Sequence, residues 1–566
     1  MIPLLPFSLY LHTLRYLKPS QILGRICKIL PRPAVSRGGL PALRQQGAVW
    51  RQPALRSASL LGPARFRFLN EEGEVRDATG WNDPQREKLW LYHLHYFDDL
   101  VAEGAAGRHE WHKALIRRWV AENPPGFGNG WEPYPLARRI VNWAKWAWAG
   151  NELPAGAAAC LALQARWLRR HLEWHLLGNH LLADAKGLIF AGLFFAGPEA
   201  EEWLAKGLSI LECQISEQIL ADGGHFERSP MYHAQVLEDV LDVVNALRNL
   251  PDPNSAKRAA VTEICSEAVP RMLAWLRTMT HPDGGIALFN DAAFGGAATP
   301  ARLAAYAAAL LPGHESAAAV HTGVNWGNVP HFSHLAATGY IRVDYGDMTA
   351  FLDVAPIGPD YLPGHAHADT LSFELSSGTQ RVLVDSGVSR YGEGAERLRQ
   401  RGTAAHNTVE IDGQNSSEVW GGFRVARRAY PRDLVVREAE GVVSCAHDGY
   451  RRLAGRPLHR REWRFRECGM EIRDRVEGGF REAAGRLHFH PELQVIPSGS
   501  LNEGELLLPD GRRMLWRILK GEGRLLNTTW HPEFGKVIPN QCLEIRFDGP
   551  ETLVELSWIE KWGSGL

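Results

Sequence analysis

Tyr340-Ile-Arg-Val-Asp-Tyr345, the pair Gly346-Asp347, and then Thr349-Ala-Phe-Leu-Asp-Val354 mark a change of period in the chain. Apolar and polar side chains alternate along the first arm, which is the period of a strand. A Gly-Asp turn joins it to the second, so the segment reads as a β-hairpin. Thr370-Leu-Ser-Phe-Glu-Leu375 and Arg381-Val-Leu-Val384 continue the pattern, and Gly469-Met-Glu-Ile-Arg-Asp-Arg-Val476 and Leu543-Glu-Ile-Arg-Phe547 carry it toward the end. Antiparallel stretches separated by turns predict a sandwich over residues 335–566.

Upstream of this change the period is 3.6. Leu136, Ile140, Trp143 and Ala147 form one stripe, Leu161, Ala165, Leu168 and Leu172 a second, and Leu204, Leu208, Leu211 and Ile215 a third. Further helical segments run around Tyr232 to Leu247, Arg271 to Met279 and Ala301 to Leu311. Amphipathic helices in series need a shared interior, and stacked helical hairpins or a toroid provide one. The expected division is a helical extension over 1–84, helices over 85–315, a linker over 316–334 and the sandwich over 335–566.

The chain has 566 residues, 45% hydrophobic and 22% charged, which excludes a single small module, intrinsic disorder, collagen and coiled coil. Its 63 Lys and Arg against 64 Asp and Glu leave a formal charge of -1. That balance gives no global field for nucleic acid or an anionic membrane, so neither is expected as a partner, and an acidic ligand has to be met locally. Seven scattered cysteines without a C-x-x-C pair suggest a reducing compartment. The apolar start carries Pro3 and Pro6, its first cation is Arg15, and no A-x-A site follows; a soluble, cytoplasmic protein is the expectation. The oligomeric state is not legible.

Four groups of residues carry chemistry. Gly178-Asn-His180 opens an apolar helix, where Asn179 suits an N-cap and Asn179 and His180 also suit a cleft. Asp222-Gly-Gly-His-Phe-Glu-Arg-Ser-Pro-Met-Tyr-His233 concentrates turn formers, two His, three charged groups and Tyr232 ahead of another helix. Asp222 and Glu227 there are a candidate carboxylate pair for glycoside hydrolysis. In Gly364-His-Ala-His-Ala-Asp369, an extended backbone places His365 and His367 on one face. With Asp385 and His406 beside later strands, the pair suits Zn²⁺. Trp131, Tyr134, Trp143, Trp146 and Trp148 read mainly as helical core, although aromatic faces also suit a sugar cleft.

Together these residues resemble the heparinase II/III-like polysaccharide lyases and their alginate-lyase relatives. The resemblance rests on Gly130-Trp-Glu-Pro-Tyr-Pro135 with Arg139-Ile-Val-Asn-Trp143, Gly178-Asn-His-Leu-Leu182, the 222–233 segment, His281-Pro-Asp-Gly284 with Phe289-Asn-Asp291, Gly364-His-Ala-His-Ala-Asp369 and His406-Asn-Thr408. It implies an N-terminal (α/α) toroid followed by a C-terminal antiparallel β-sandwich, and β-elimination on a uronic-acid-containing polysaccharide. It further implies Asn179, His180, Tyr232 and His365 as catalytic residues, Tyr391 as a second tyrosine, and His367, Asp385 and His406 as ligands of a structural Zn²⁺.

The chemistry agrees with that assignment. Removing the proton α to a uronate carboxylate builds an enolate beside an existing charge, so hydrogen-bond donors such as Asn179 and His365 have to offset it. A tyrosine can act as base and as acid to the departing oxygen, with His180 sharing the work for the opposite stereochemistry. The alternatives are a hydrolase using Asp222 or Glu227 with Asp291, and a glycan-binding or polymer-assembly protein without catalysis.

Overall fold

The computed structural model describes residues 7–30, 38–44, 50–249, 256–311 and 329–558. Helices α1 (Phe7–Leu14) and α2 (Pro19–Ile29) open the chain. Then follow α3 (Lys88–Tyr96), α4 (His109–Glu122), α5 (Pro133–Trp148), α6 (Ala157–Arg170), α7 (Gly178–Phe194), α8 (Pro198–Gln218), α9 (Pro230–Asn249), α10 (Ala256–Thr278) and α11 (Pro300–Leu310). The stripes face inward as the period requires: Leu136, Ile140 and Trp143 of α5, Leu161, Ala165 and Leu168 of α6, and Leu208, Leu211 and Ile215 of α8 are buried. α5 packs on α7, α7 on α8, and α9 on both α10 and α11, so the helices wrap one continuous core as an (α/α) toroid.

The C-terminal half is an antiparallel β-sandwich. Its five-stranded sheet has the spatial order Gln380–Leu383, Phe373–Ser377, Met348–Asp353, Tyr340–Tyr345, His331–Leu335. The hairpin lies in register Tyr340↔Asp353 to Tyr345↔Met348. Gly346 at its tip takes φ +55°, the left-handed region that the first residue of such a two-residue loop requires. Ile341, Val343, Phe373 and Leu375 of this sheet pack against Trp463, Ile472 and Leu556 of an eight-stranded sheet, closing the sandwich core.

Toroid and sandwich are joined by a small apolar cluster in which Trp275, Met279 and Phe289 meet Tyr340 and Phe351. Polar bonds flank it. His281 reaches Glu374 Oε2 at 2.6 Å and Ser376 Oγ at 2.7 Å, while Arg381 Nε donates to Asp283 Oδ2 at 2.7 Å. This buried seam fixes the two halves and with them the cleft.

The N-terminal segment differs from the expected helical extension. Leu60–Gly62, Arg65–Phe68 and Glu71–Glu74 form a three-stranded sheet, because Arg65-Phe-Arg-Phe68 alternates and buries both phenylalanines. Of the expected linker over 316–334, residues 316–328 lie outside the described residues and His331–Leu335 is the edge strand of the five-stranded sheet.

Candidate active site

A cavity of about 810 Å³ opens between toroid and sandwich. Asn179, His180 and Tyr232 line it from the helical side, and His365 and Tyr391 from the sandwich side, so the five residues singled out by sequence meet in one place.

Asn179 and His180 sit in the first turn of α7. The turn begins at Leu177, in an unusual conformation (φ +65°), and Gly178, whose missing Cβ makes room for the Glu227 carboxylate. Asn179 is therefore not the N-cap. Its backbone N–H and side-chain amide donate to Glu227 Oε1 at 3.1 Å and Oε2 at 3.0 Å, which fixes the side chain at the cavity wall. His180 Nδ1 bonds Glu173 Oε2 at 2.8 Å. Burial opposes its protonation, but the Glu173 charge outweighs this and raises the imidazole above its ordinary 6.5.

Tyr232 lies in the first turn of α9, behind Pro230, and its backbone N–H donates to Ser229 Oγ at 3.3 Å. Its ring stacks on the His365 imidazole, and its hydroxyl shares a hydrogen bond with that of Tyr391 at 2.9 Å. Burial first, then the Tyr391 hydroxyl and the Asp291 charge, hold the Tyr232 phenol well above the usual tyrosine range; Tyr391 is raised in the same direction, chiefly by burial.

His365 and His367 lie on a loop rather than a strand, yet both rings reach Asp291: His365 Nδ1 meets Oδ2 at 2.9 Å and His367 Nε2 meets Oδ1 at 2.8 Å. Arg397, in a short helix α12 (Ala395–Arg401), clamps the same carboxylate with both terminal nitrogens, Nη2 at 2.7 Å from Oδ2. Burial alone would raise the Asp291 pKa. The Arg397 charge and the two histidines overcome it and hold the group well below the carboxylate range. Arg397 carries no signal in sequence, since an arginine on a short polar helix looks like a solvated one.

The carboxylate pair expected of a hydrolase is not assembled. Asp222 accepts from the N–H of Gly224 at 3.0 Å and of Thr338 at 2.7 Å and from the Thr338 hydroxyl, and it does not line the cavity. Asp291 is fully buried under Arg397. Glu227 alone of the three borders the cavity, engaged by Asn179. Of the aromatic group, Trp131, Trp143, Trp146 and Trp148 are core, and Tyr134 joins Tyr92 and Tyr96 in the cavity wall.

Behind His365 lies a buried His/Asp group able to hold a metal ion. One ligand atom each from His367, Asp369 and His406 lies within 4.8 Å of the others. Here the structure departs from the expected set. Asp385 accepts from His406 Nδ1 at 2.7 Å, so it orients that ring from behind, and Asp369 stands in the group instead. The donors fit a metal: His367 Nδ1 and His406 Nε2 are buried without a partner among the described residues, while the far nitrogen of each ring is held by a carboxylate. Burial pushes the Asp369 carboxyl up to about 6 and lowers His367 to about 3, whereas Asp385 and Asp369 raise His406 against the effect of burial.

Residues 158–316 match the family described as Heparinase II/III N-terminus, and residues 328–559 the family described as Heparinase II/III-like, C-terminal. A heparin-sulfate lyase of Pedobacter heparinus is 28% identical over 323 residues, 52% of this chain and 47% of that protein. The FtsZ-localized protein C of Caulobacter vibrioides is 29% identical over 397 residues, 67% of this chain and 63% of that one. These matches span about half the length of the curated relatives. A solved heparinase III shares the fold with a TM-score of 0.66 at 16% identity, covering 95% of this chain and 89% of that one.

Proposed function

Because the chain belongs to the heparinase II/III-like family, we propose that it is a polysaccharide lyase that cleaves a uronic-acid-containing polysaccharide, a bacterial surface or exopolysaccharide, by β-elimination. The observation that carries this reading is the meeting of Asn179, His180, Tyr232, His365 and Tyr391 around one cavity large enough for sugar residues. Relatives named heparin-sulfate lyase support the acidic polysaccharide as substrate class.

In this reading the uronate carboxylate lies against Asn179, His365 and His180. Asn179 and His365 supply donors, and His180, whose pKa the Glu173 carboxylate raises against the effect of burial, supplies positive charge in its protonated form. The enolate that forms when the α proton leaves is stabilised by the same groups, in place before the reaction. Tyr232 is held as a neutral phenol, the form that donates a proton to the departing glycosidic oxygen. Tyr391, hydrogen-bonded to it, is the second phenol. The hydrogen bond that Tyr232 donates eases ionisation of Tyr391, so Tyr391 as tyrosinate is assigned the α proton and Tyr232 gives its own to the departing oxygen. A proton passed along their hydrogen bond from Tyr391 to Tyr232 then resets the pair. His365 is positioned from behind: its Nδ1–H donates to Asp291, Arg397 keeps that carboxylate in place, and its Nε2 is a donor toward the substrate in the imidazolium form.

Zn²⁺ is the metal we assign to His367, His406 and Asp369, with Asp385 orienting His406. Bound there it would cross-link the loops that carry His365, a structural contribution. The test of the activity is mass spectrometry of oligosaccharides released from uronate polysaccharides. A lyase gives an unsaturated end one water lighter than a hydrolysis product; products carrying that water would reject the proposal.

A further inference from the structure

The balanced charge of the whole chain hides a segregation. Residues 1–70 hold eleven Lys and Arg and no Asp or Glu; the first carboxylate is Glu71. Within this acid-free stretch, α1 and α2 are docked the wrong way round for ordinary core helices. α2 turns its polar and small residues to the protein: Gln21 is buried and donates to the Tyr361 carbonyl at 3.0 Å, and Gly24 abuts the backbone of Trp174 and His175. α1 is held by Thr13, which bonds Trp420 Nε1 at 3.1 Å, and by Tyr10 edge-on to Trp420.

The apolar stripes face outward. Phe7, Leu11 and Leu14 on α1, and Ile22, Leu23, Ile26 and Ile29 on α2, are exposed, Phe7 at 81%, Leu23 at 61% and Ile29 at 84%. Helices this short gain most of their stability from burying an apolar face, so an outward stripe implies a partner that buries it. Of the cations beside it, Lys18 pairs with Glu217, whereas three others are free of carboxylates. Arg15 bonds the Tyr16 hydroxyl, Arg25 the Gln21 carbonyl and Lys28 the His175 ring, and among the described residues none of the three has an acidic partner. The cations lining the cavity contrast with them: Arg56 pairs with Glu238, Arg67 with Glu72, Lys88 with Glu132, Arg138 with Asp98 and Arg302 with Glu103.

We propose that residues 7–30 are an interfacial anchor that docks this protein on an anionic lipid bilayer surface. Such a surface offers hydrocarbon to the outward stripe and negative headgroups to Arg15, Arg25 and Lys28, the pairing that in-plane amphipathic helices use. A second copy suits the face poorly, because a symmetric contact sets these cations against themselves. Among the described residues no helix is long and apolar enough to cross a membrane, so the anchor lies on the surface. The segments it rests on, at Tyr361 and Trp420–Val425, include or adjoin Leu362 and Phe423 of the cavity wall, so a docked protein holds its cavity close to the lipid. The proposal departs from the expectation, drawn from net charge, that a membrane is not a partner.

The experiment is flotation of the full chain with vesicles of phosphatidylcholine alone or with about 30% phosphatidylglycerol, at low and high salt. It compares wild type with Ile22→Ser/Leu23→Ser/Ile26→Ser and with Arg25→Glu/Lys28→Glu, thermal melting showing that both variants fold. Wild type is expected to float with anionic vesicles only and to be released by salt, and each variant to bind at least about tenfold more weakly. Failure of folded wild type to float with anionic vesicles, or undiminished flotation of the serine variant, overturns the proposal. So does a wild-type dimer that the serine variant dissociates, in the absence of flotation, because the face then belongs to a second copy.

Discussion

The Tyr232 ring lies stacked on the His365 imidazole, with centroids 3.7 Å apart and planes inclined by 26°. One residue comes from the first turn of a toroid helix and the other from a sandwich loop, so their contact measures how well the two halves are aligned.

Tyr232→Phe keeps that stacked ring and removes the hydroxyl bonded to Tyr391. Turnover is expected to fall by roughly 10²–10⁴, as for loss of a general acid or base, with little change in KM or in melting temperature. Steady-state kinetics on a confirmed substrate check this; turnover within a few-fold of wild type would make Tyr232 structural.

Metal analysis of the purified protein is expected to find about one Zn²⁺ per chain, and chelation to lower the melting temperature, because a site absent from the unfolded chain adds its binding free energy to folding. Asp369→Asn and His406→Ala are each expected to remove the ion. Asp385→Asn, which alters only the partner behind His406, is expected to weaken binding by about 10–100-fold. Equal loss in Asp385→Asn and Asp369→Asn would restore Asp385 to the coordination sphere.

His180 carries the pH prediction. Its folded pKa is raised above 6.5, so the stability it contributes is full below about 6.5 and is lost as pH rises through the folded value. If its charge offsets the uronate, kcat/KM declines over the same interval. Glu173→Gln removes the cause and should move both effects to lower pH, which titration of the His180 ring by NMR can follow.

Arg397→Met removes the cation that neutralises the buried Asp291. Stranding that charge is expected to cost about 3–5 kcal/mol by denaturant unfolding. A loss under about 1 kcal/mol would mean that the two histidines suffice to hold it.

Much of the architecture is legible in the amino-acid sequence. The hairpin at 340–354 is readable because alternation and a glycine at the turn leave one register, and the helical stripes because each buries a single face. Tyr232, His365 and the Gly178-Asn-His180 turn stand out because they lie in short segments dense in polar and turn-forming residues, and it is the resemblance to a family that assigns their roles. The carboxylates are harder to sort. Whether Asp369 or Asp385 joins the metal group depends on which nitrogen of His406 is already bonded, a question of ring orientation that spacing does not encode. Asp222 and Asp291 resemble catalytic acids because sequence shows a carboxyl group but not its neighbours; Thr338 and Arg397, far along the chain, engage them. The sheet at 60–74 escapes a reading by periodicity because its strands are only three or four residues long.

The most direct test of the central claim is the ultraviolet absorbance of uronate polysaccharides incubated with the wild-type protein and with Tyr232→Phe. Elimination leaves a C4=C5 double bond conjugated with the carboxylate, so absorbance should rise in step with chain scission for at least one uronate polymer, and Tyr232→Phe should nearly abolish the rise. Scission with new reducing ends and no absorbance, or no scission of any uronate polymer by the folded, zinc-loaded protein, would contradict the account.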